Sequence, residues 1–157
     1  MGTTATVSQS SCLVSPPLRI IADDRGAVIH MLRADSPFFT GFGEVYFSEV
    51  KSGSVKAWKR HSRMTQRLAV PVGRMLFAVL DDRAGSENPE SVVEHELGRP
   101  DAYRLLIIPP MIWYGFQCIS KETAVIANCT DLPHDPEEIE RSDAFPGKGN
   151  YAWRVID

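Results

Sequence analysis

The sequence predicts an all-β fold, an antiparallel jelly-roll barrel with a short helical turn near its C-terminal end. Three observations lead there. Apolar residues come in short runs rich in Val, Ile, Phe and Tyr rather than at the spacing of a long amphipathic helix. Clusters of Gly, Pro, Asp and Ser separate the runs, giving turns every ~8–12 residues, the rhythm of sandwiches and barrels. The chain has 157 residues, 43% of them hydrophobic and 24% charged, which supplies one core without disulfide staples.

Taken in order, the expected strands are 18–22, 27–32, 45–50, 68–72, 75–80, 92–97, 103–108 and 123–127. Segment 92–97 is too short and too punctuated for a helix. The proline in Val70-Pro71-Val72-Gly73 marks a strand end or a turn. The one helical signal is 136–141: Asp135 can cap, Pro136 suits the first helical position, and the acids that follow suit the positive helix end. Trp153, after the loop 145–150, is expected to anchor on the barrel wall. Residues 1–17 read as a flexible polar tail and 18–157 as a single domain. A jelly roll of the cupin kind fits best, since such barrels turn polar side chains into a sheltered mouth.

Composition excludes several classes. A net charge of −3 and a pI near 5.8 argue against nucleic acid as the principal partner. No run approaches the ~20 apolar residues of a membrane span, so no membrane partner is expected. Cys12, Cys118 and Cys129 are odd in number and widely spaced, which indicates free thiols in a reducing, cytoplasmic setting. The N-terminal residues lack the form of a secretory signal. Gly2 and Thr6 match the loose myristoylation pattern, although a Ser/Thr-rich tail explains the same letters.

The densest polar cluster is Lys56-Ala57-Trp58-Lys59-Arg60-His61-Ser62-Arg63. As a strand, it places Lys56, Trp58 and Arg60 on one face and Ala57, Lys59 and His61 on the other. If the second face is inward, an ammonium and an imidazole share a sheltered space and need a role. If outward, the segment is an edge strand protected by basic residues. Asp81 and Arg83 can share a face, where Arg83 either grips a phosphate or pairs with Asp81 to hold a turn. The run 107–116, with its double proline and aromatics, serves equally for stacking on a ligand or for core. His30, His61, His95 and His134 are isolated, so no metal site is expected. No nucleophile triad, P-loop or dinucleotide fingerprint is present, and no cofactor is expected.

With these residues in view, the chain from about residue 23 to 153 resembles the dTDP-4-dehydrorhamnose 3,5-epimerase family, cupin-fold enzymes of sugar nucleotides. Asp24-Arg25-Gly26 is similar to the family's early Asp-x-Arg-Gly segment. Residues 73–86, GRMLFAVLDDRAGS, are similar to its G-x-V-x-D-V-x-V-D-x-R-x-x-S stretch. Ile108-Pro109-Pro110 through Gly115-Phe116 is similar to its I-P-x-G-x-A-H-G-F turn, and Asp143 with Tyr151-Ala152-Trp153 to its late Asp and final aromatic. The chain departs from the pattern at reactive places. The family's base histidine falls on Lys59, with His61 in a glutamine place. The histidine of the H-G-F turn falls on Tyr114, the catalytic tyrosine falls near Ala127, and the glutamate after the early Arg-Gly falls on His30.

The resemblance implies an isomerase that removes a proton beside the keto group of a nucleotide-linked 4-keto-6-deoxy sugar and passes through an enolate, without a metal or other cofactor. Two further readings stay open: a 3,4-ketoisomerase, and a cupin that binds the sugar nucleotide without turning it over. Lys59 and His61 are alternative bases, Tyr114 the candidate acid and Asp143 a further catalytic candidate. Arg25, Arg60, Arg83 and Asn128 are candidates for polar contacts with the substrate, and Trp58 and Trp113 for apolar ones. The family's usual homodimer is the implied assembly.

Overall fold

The computed structural model describes residues 13–87 and 89–157. Cys12 and the Gly2/Thr6 pattern lie outside them. The strands are β1 Ile20–Asp23, β2 Gly26–Ile29, β3 Glu44–Val50, β4 Val55–His61, β5 Gln66–Val72, β6 Arg74–Leu80, β7 Val93–Gly98, β8 Leu106–Ile108, β9 Trp113–Cys118, β10 Ala124–Thr130 and β11 Ile139–Arg141. A four-stranded sheet runs β3-β10-β5-β8 and a five-stranded sheet runs β11-β4-β9-β6-β7. Every pairing is antiparallel. β1 and β2 form a hairpin of their own.

Period-two alternation builds the interior. Val50, Leu68, Val70, Met75, Phe77, Val79, Tyr114, Phe116 and Ile126 belong to one buried cluster between the sheets. The other face of the five-stranded sheet has its own cluster, Trp58, Ala78, Leu80 and Trp113, covered by Phe145, Tyr151 and Trp153. The expected Trp153 anchor is present, its ring 5.4 Å from that of Trp58. Gly115 lets β9 approach β4 closely here, because a Cβ on it would fall 2.5 Å from that of Ala57.

Four elements differ from the sequence expectation. The basic segment is strand β4, and Trp113–Cys118, read as an aromatic run, is the fully buried strand β9. The expected helical turn stops after Pro136–Glu138, a 3₁₀ turn capped by Asp135. The chain then straightens into β11, because Ile139, Glu140 and Arg141 pair with His61, Arg60 and Lys59. Only 106–108 of the segment 103–108 is strand; Arg104 before it bridges Pro17, and Ile107 within it bridges Val14. Leu13 packs against the core, so 13–17 lie on the barrel. Cys118 and Cys129 are buried free thiols. Among the described residues, no helix is long and apolar enough to cross a membrane.

Candidate active site

A cavity of about 360 Å³ opens between the two sheets, lined by Glu44 and Tyr46 of β3, Lys59 and His61 of β4, Met64, His134, and Ile139 and Arg141 of β11. That volume lies within the ~300–1,000 Å³ range of small-ligand pockets. The inward reading of the basic strand is therefore the correct one for Lys59 and His61. Their neighbours Trp58 and Arg60 point to the opposite side of the sheet, as alternation requires.

His61 is 4% exposed. Its Nδ1 makes a short hydrogen bond with Glu138 Oε1. The other carboxylate oxygen, Oε2, accepts from the backbone N–H groups of Arg63 at 3.1 Å and Met64 at 3.2 Å. A carboxylate gripped in this way fixes the imidazole with its proton on Nδ1 and leaves Nε2 as the basic nitrogen. Nε2 faces the Tyr114 hydroxyl at 3.4 Å. Burial holds the imidazole below its usual range despite the opposing pull of Glu138, and Lys59 and Arg141 add to the depression. Burial pushes the Glu138 carboxyl up, but hydrogen bonds from His61, Arg63 and Met64 prevail and hold it down.

Lys59 stands opposite Arg141 on one side and Tyr114 on the other. Its Nζ lies 5.4 Å from the centre of the Tyr114 ring and 5.9 Å from that of Phe116. Burial, then the like charges of Arg141 and Lys56, bring the amine down to about 8. Among the described residues it forms no ion pair.

Tyr46 and Asn128 are register partners on β3 and β10. Asn128 Nδ2 donates to the Tyr46 hydroxyl at 2.8 Å and also to Gln66 Oε1, while its Oδ1 accepts from the Arg67 backbone N–H at 3.1 Å. Tyr46 thus presents a phenol from the four-stranded sheet toward the Lys59–His61 wall. Burial raises its pKa, although the Asn128 bond opposes the rise.

Several sequence candidates sit elsewhere. Asp143 is exposed and outside the cavity lining; the carboxylate that holds His61 is Glu138. Trp58 packs on Phe145 at 5.2 Å and Tyr151 at 5.5 Å, so it is outer-face core. Trp113 shares that face and carries the Arg60 guanidinium 4.7 Å above its ring, while Arg60 pairs with Glu140 and Asp82. Arg25 is exposed at the β1–β2 turn and bonded to Asp23 at 2.7 Å. Arg83 grips Asp81 through two bonds of 2.8 Å, the turn-holding alternative. Tyr114 is fully buried behind His61, and burial drives its pKa well above 10. Asn128 is buried and reaches the cavity only through Tyr46.

Sequence reasoning missed Glu44, Tyr46, Met64, His134, Glu138, Ile139 and Arg141. Only Tyr46 left a signal, as an amphipathic ring sharing the strand parity of buried Val50. Among the described residues, no three His, Cys, Asp or Glu side chains gather as a metal site.

The chain is 50% identical to a dTDP sugar isomerase from Desulfovibrio desulfuricans G20, with 85% of each chain covered and a TM-score of 0.81. The chain belongs to the cupin-fold family of dTDP-sugar epimerases and isomerases. A relative from Haloferax volcanii, the probable low-salt glycan biosynthesis epimerase Agl13, is 28% identical over 123 residues, 77% of this chain and 78% of that one. The sugar 3,4-ketoisomerase QdtA from Thermoanaerobacterium thermosaccharolyticum shares the fold at 19% identity and a TM-score of 0.67, with 83% of this chain and 88% of that one covered. No family model matches the chain. The jelly-roll expectation and the family resemblance both hold, and the protein is an isomerase-type enzyme.

Proposed function

We propose that the protein isomerises a nucleotide-linked 4-keto-6-deoxy sugar by moving a proton on and off a carbon beside the keto group, without a metal. His61 is the base. Its Nε2, beside the Tyr114 hydroxyl, carries the lone pair that takes the proton, and Glu138 stabilises the imidazolium that results. Lys59, two residues away on the same face, stabilises the electron pair that the C–H bond releases. Tyr46 returns a proton from the other wall. Its own O–H is free for this because its oxygen accepts from Asn128. Tyr114, in the place read from the sequence as the acid, buffers His61 from behind. Arg141 suits the diphosphate, and Met64 and Ile139 suit the deoxy carbon.

The observation that carries this reading is the pairing of His61 on one wall with Tyr46 on the other. Epimerisation removes a proton from one face of the ring and returns it to the opposite face, which requires two groups on opposing sides. A 3,4-ketoisomerase would instead return the proton to an adjacent atom, and the NMR spectrum of the product separates the two. We place the enzyme in the cytoplasm as a homodimer, the family's usual assembly.

The test is incubation with dTDP-4-keto-6-deoxyglucose in heavy water. Deuterium is expected at sugar carbon 3 or 5. Tight binding with no exchange at any pH would show a non-catalytic cupin instead.

A further inference from the structure

We propose that Lys59 enters the reaction covalently: its amine condenses with the 4-keto carbon, and the resulting iminium ion replaces a free enolate as the electron sink. The inference deepens the keto-sugar assignment above and rests on it.

Three features of the site support it. First, Lys59 has the surroundings of a nucleophilic amine. It forms no ion pair among the described residues, Glu44 of the same cavity included, the like charges of Arg141 and Lys56 act on it, and its Nζ lies among the rings of Tyr114 and Phe116. Desolvation beside like charge is how amines that form Schiff bases are kept unprotonated. With a pKa of about 8, roughly a tenth of the amine is neutral at pH 7. Second, the base is supplied elsewhere. The Glu138–His61 couple is complete without Lys59, so the lysine is free for another task. Third, the spacing suits a division of labour. Lys59 and His61 share a face about 6–7 Å apart along the strand. The flexible lysine stem can reach the carbonyl carbon while Nε2 meets a hydrogen on the neighbouring carbon.

The steps balance without an oxidant or reductant. The neutral amine adds to the carbonyl carbon, forming a C–N bond, and a proton passes from nitrogen to oxygen to give the carbinolamine. The hydroxyl leaves as water with a proton taken from solvent, and the nitrogen lone pair closes the C=N⁺ bond. His61 Nε2 takes the adjacent proton. The C–H pair becomes a C=C bond and neutralises the iminium to an enamine. Tyr46 protonates that carbon from the opposite face and restores the iminium; water hydrolyses it, releasing keto sugar and neutral amine and returning a proton to the Tyr46 phenolate, while His61 gives its proton to solvent.

The decisive experiment treats wild-type protein with dTDP-4-keto-6-deoxyglucose and sodium cyanoborohydride, which reduces iminium ions in preference to ketones, and maps adducts by peptide mass spectrometry. Deuterium exchange is followed in parallel. The expected result is a sugar-nucleotide adduct on Lys59, present also in His61→Asn, where exchange is lost, and absent in Lys59→Arg. Exchange without an adduct overturns the iminium and leaves the keto-sugar reading intact. Neither exchange nor adduct overturns both. The pH profile gives a second measure that needs no variant. Exchange that depends on the neutral amine rises through pH about 8, whereas a charged, merely electrostatic Lys59 makes it fall there. Lys59→Arg keeps the charge yet is expected to lose about a thousandfold in exchange rate; retention within tenfold would overturn the proposal.

Discussion

Glu138 holds His61 from 77 residues away, one carboxylate oxygen on the imidazole Nδ1 and the other on two backbone N–H groups beside it. Glu138→Gln leaves the shape nearly unchanged but removes the charge that supports an imidazolium. Solvent exchange should fall about a hundredfold or more, measured by NMR in heavy water at saturating substrate. A change under threefold would remove Glu138 from the mechanism.

The same carboxylate should be visible in acid unfolding. Its folded pKa lies below the ordinary value of 4.5, so the unfolded chain binds the proton more readily. Its contribution to stability is present above that value and is lost as pH falls through the folded pKa. Thermal unfolding from pH 7 to 3 should show a steeper acid decline in wild type than in Glu138→Gln. Parallel curves would contradict this.

Lys59 should cost the fold stability. Its pKa falls from 10.5 to about 8, so below pH 8 the unfolded chain is favoured by roughly 2–3 kcal/mol, allowing for solvent screening. The cost is relieved as pH rises from about 8 to 10.5, where the unfolded chain still binds the proton and the fold does not. Lys59→Met should therefore be more stable than wild type at pH 7, inactive, and nearly equal to it near pH 10.5. Denaturant titrations at the two pH values test this.

Tyr46→Phe deletes the hydroxyl that Asn128 orients and should lower turnover by about 10²–10⁴-fold with little change in substrate affinity. Asn128→Ala should lower it less, because the phenol survives but loses its orienting bond. Unchanged turnover in Tyr46→Phe would place the acid elsewhere.

Trp58→Ala separates core from site. Trp58 is 4% exposed and belongs to the outer-face aromatic cluster, so its truncation should cost about 3–5 kcal/mol of stability. Nucleotide-sugar affinity, measured by calorimetry well below the lowered melting point, should stay within threefold. A large loss of affinity would restore the ligand-contact role expected from the sequence.

Alternation of side chains along a strand is local, and it was legible. The spacing of 56–61 already put Lys59 and His61 on one face with Trp58 and Arg60 on the other, and the turn chemistry marked Asp135 and Pro136 as a helical start. The strand β9 was obscured because both of its faces are buried, so that Trp113–Cys118 carries no polar period. The motifs from Asp24 to Trp153 were enough to indicate the family.

By itself, then, the sequence determined the all-β architecture, the family and the shared face of Lys59 and His61, since each depends on neighbours a few residues apart. Only the tertiary structure decided that this face is inward, that Glu138 supports His61 while Asp143 lies outside the cavity, and that Tyr46 faces them. Glu138 lies 77 residues from His61, and Asn128, which orients Tyr46, lies 82 residues from it; these partners are brought together by sheet pairing that no local pattern records.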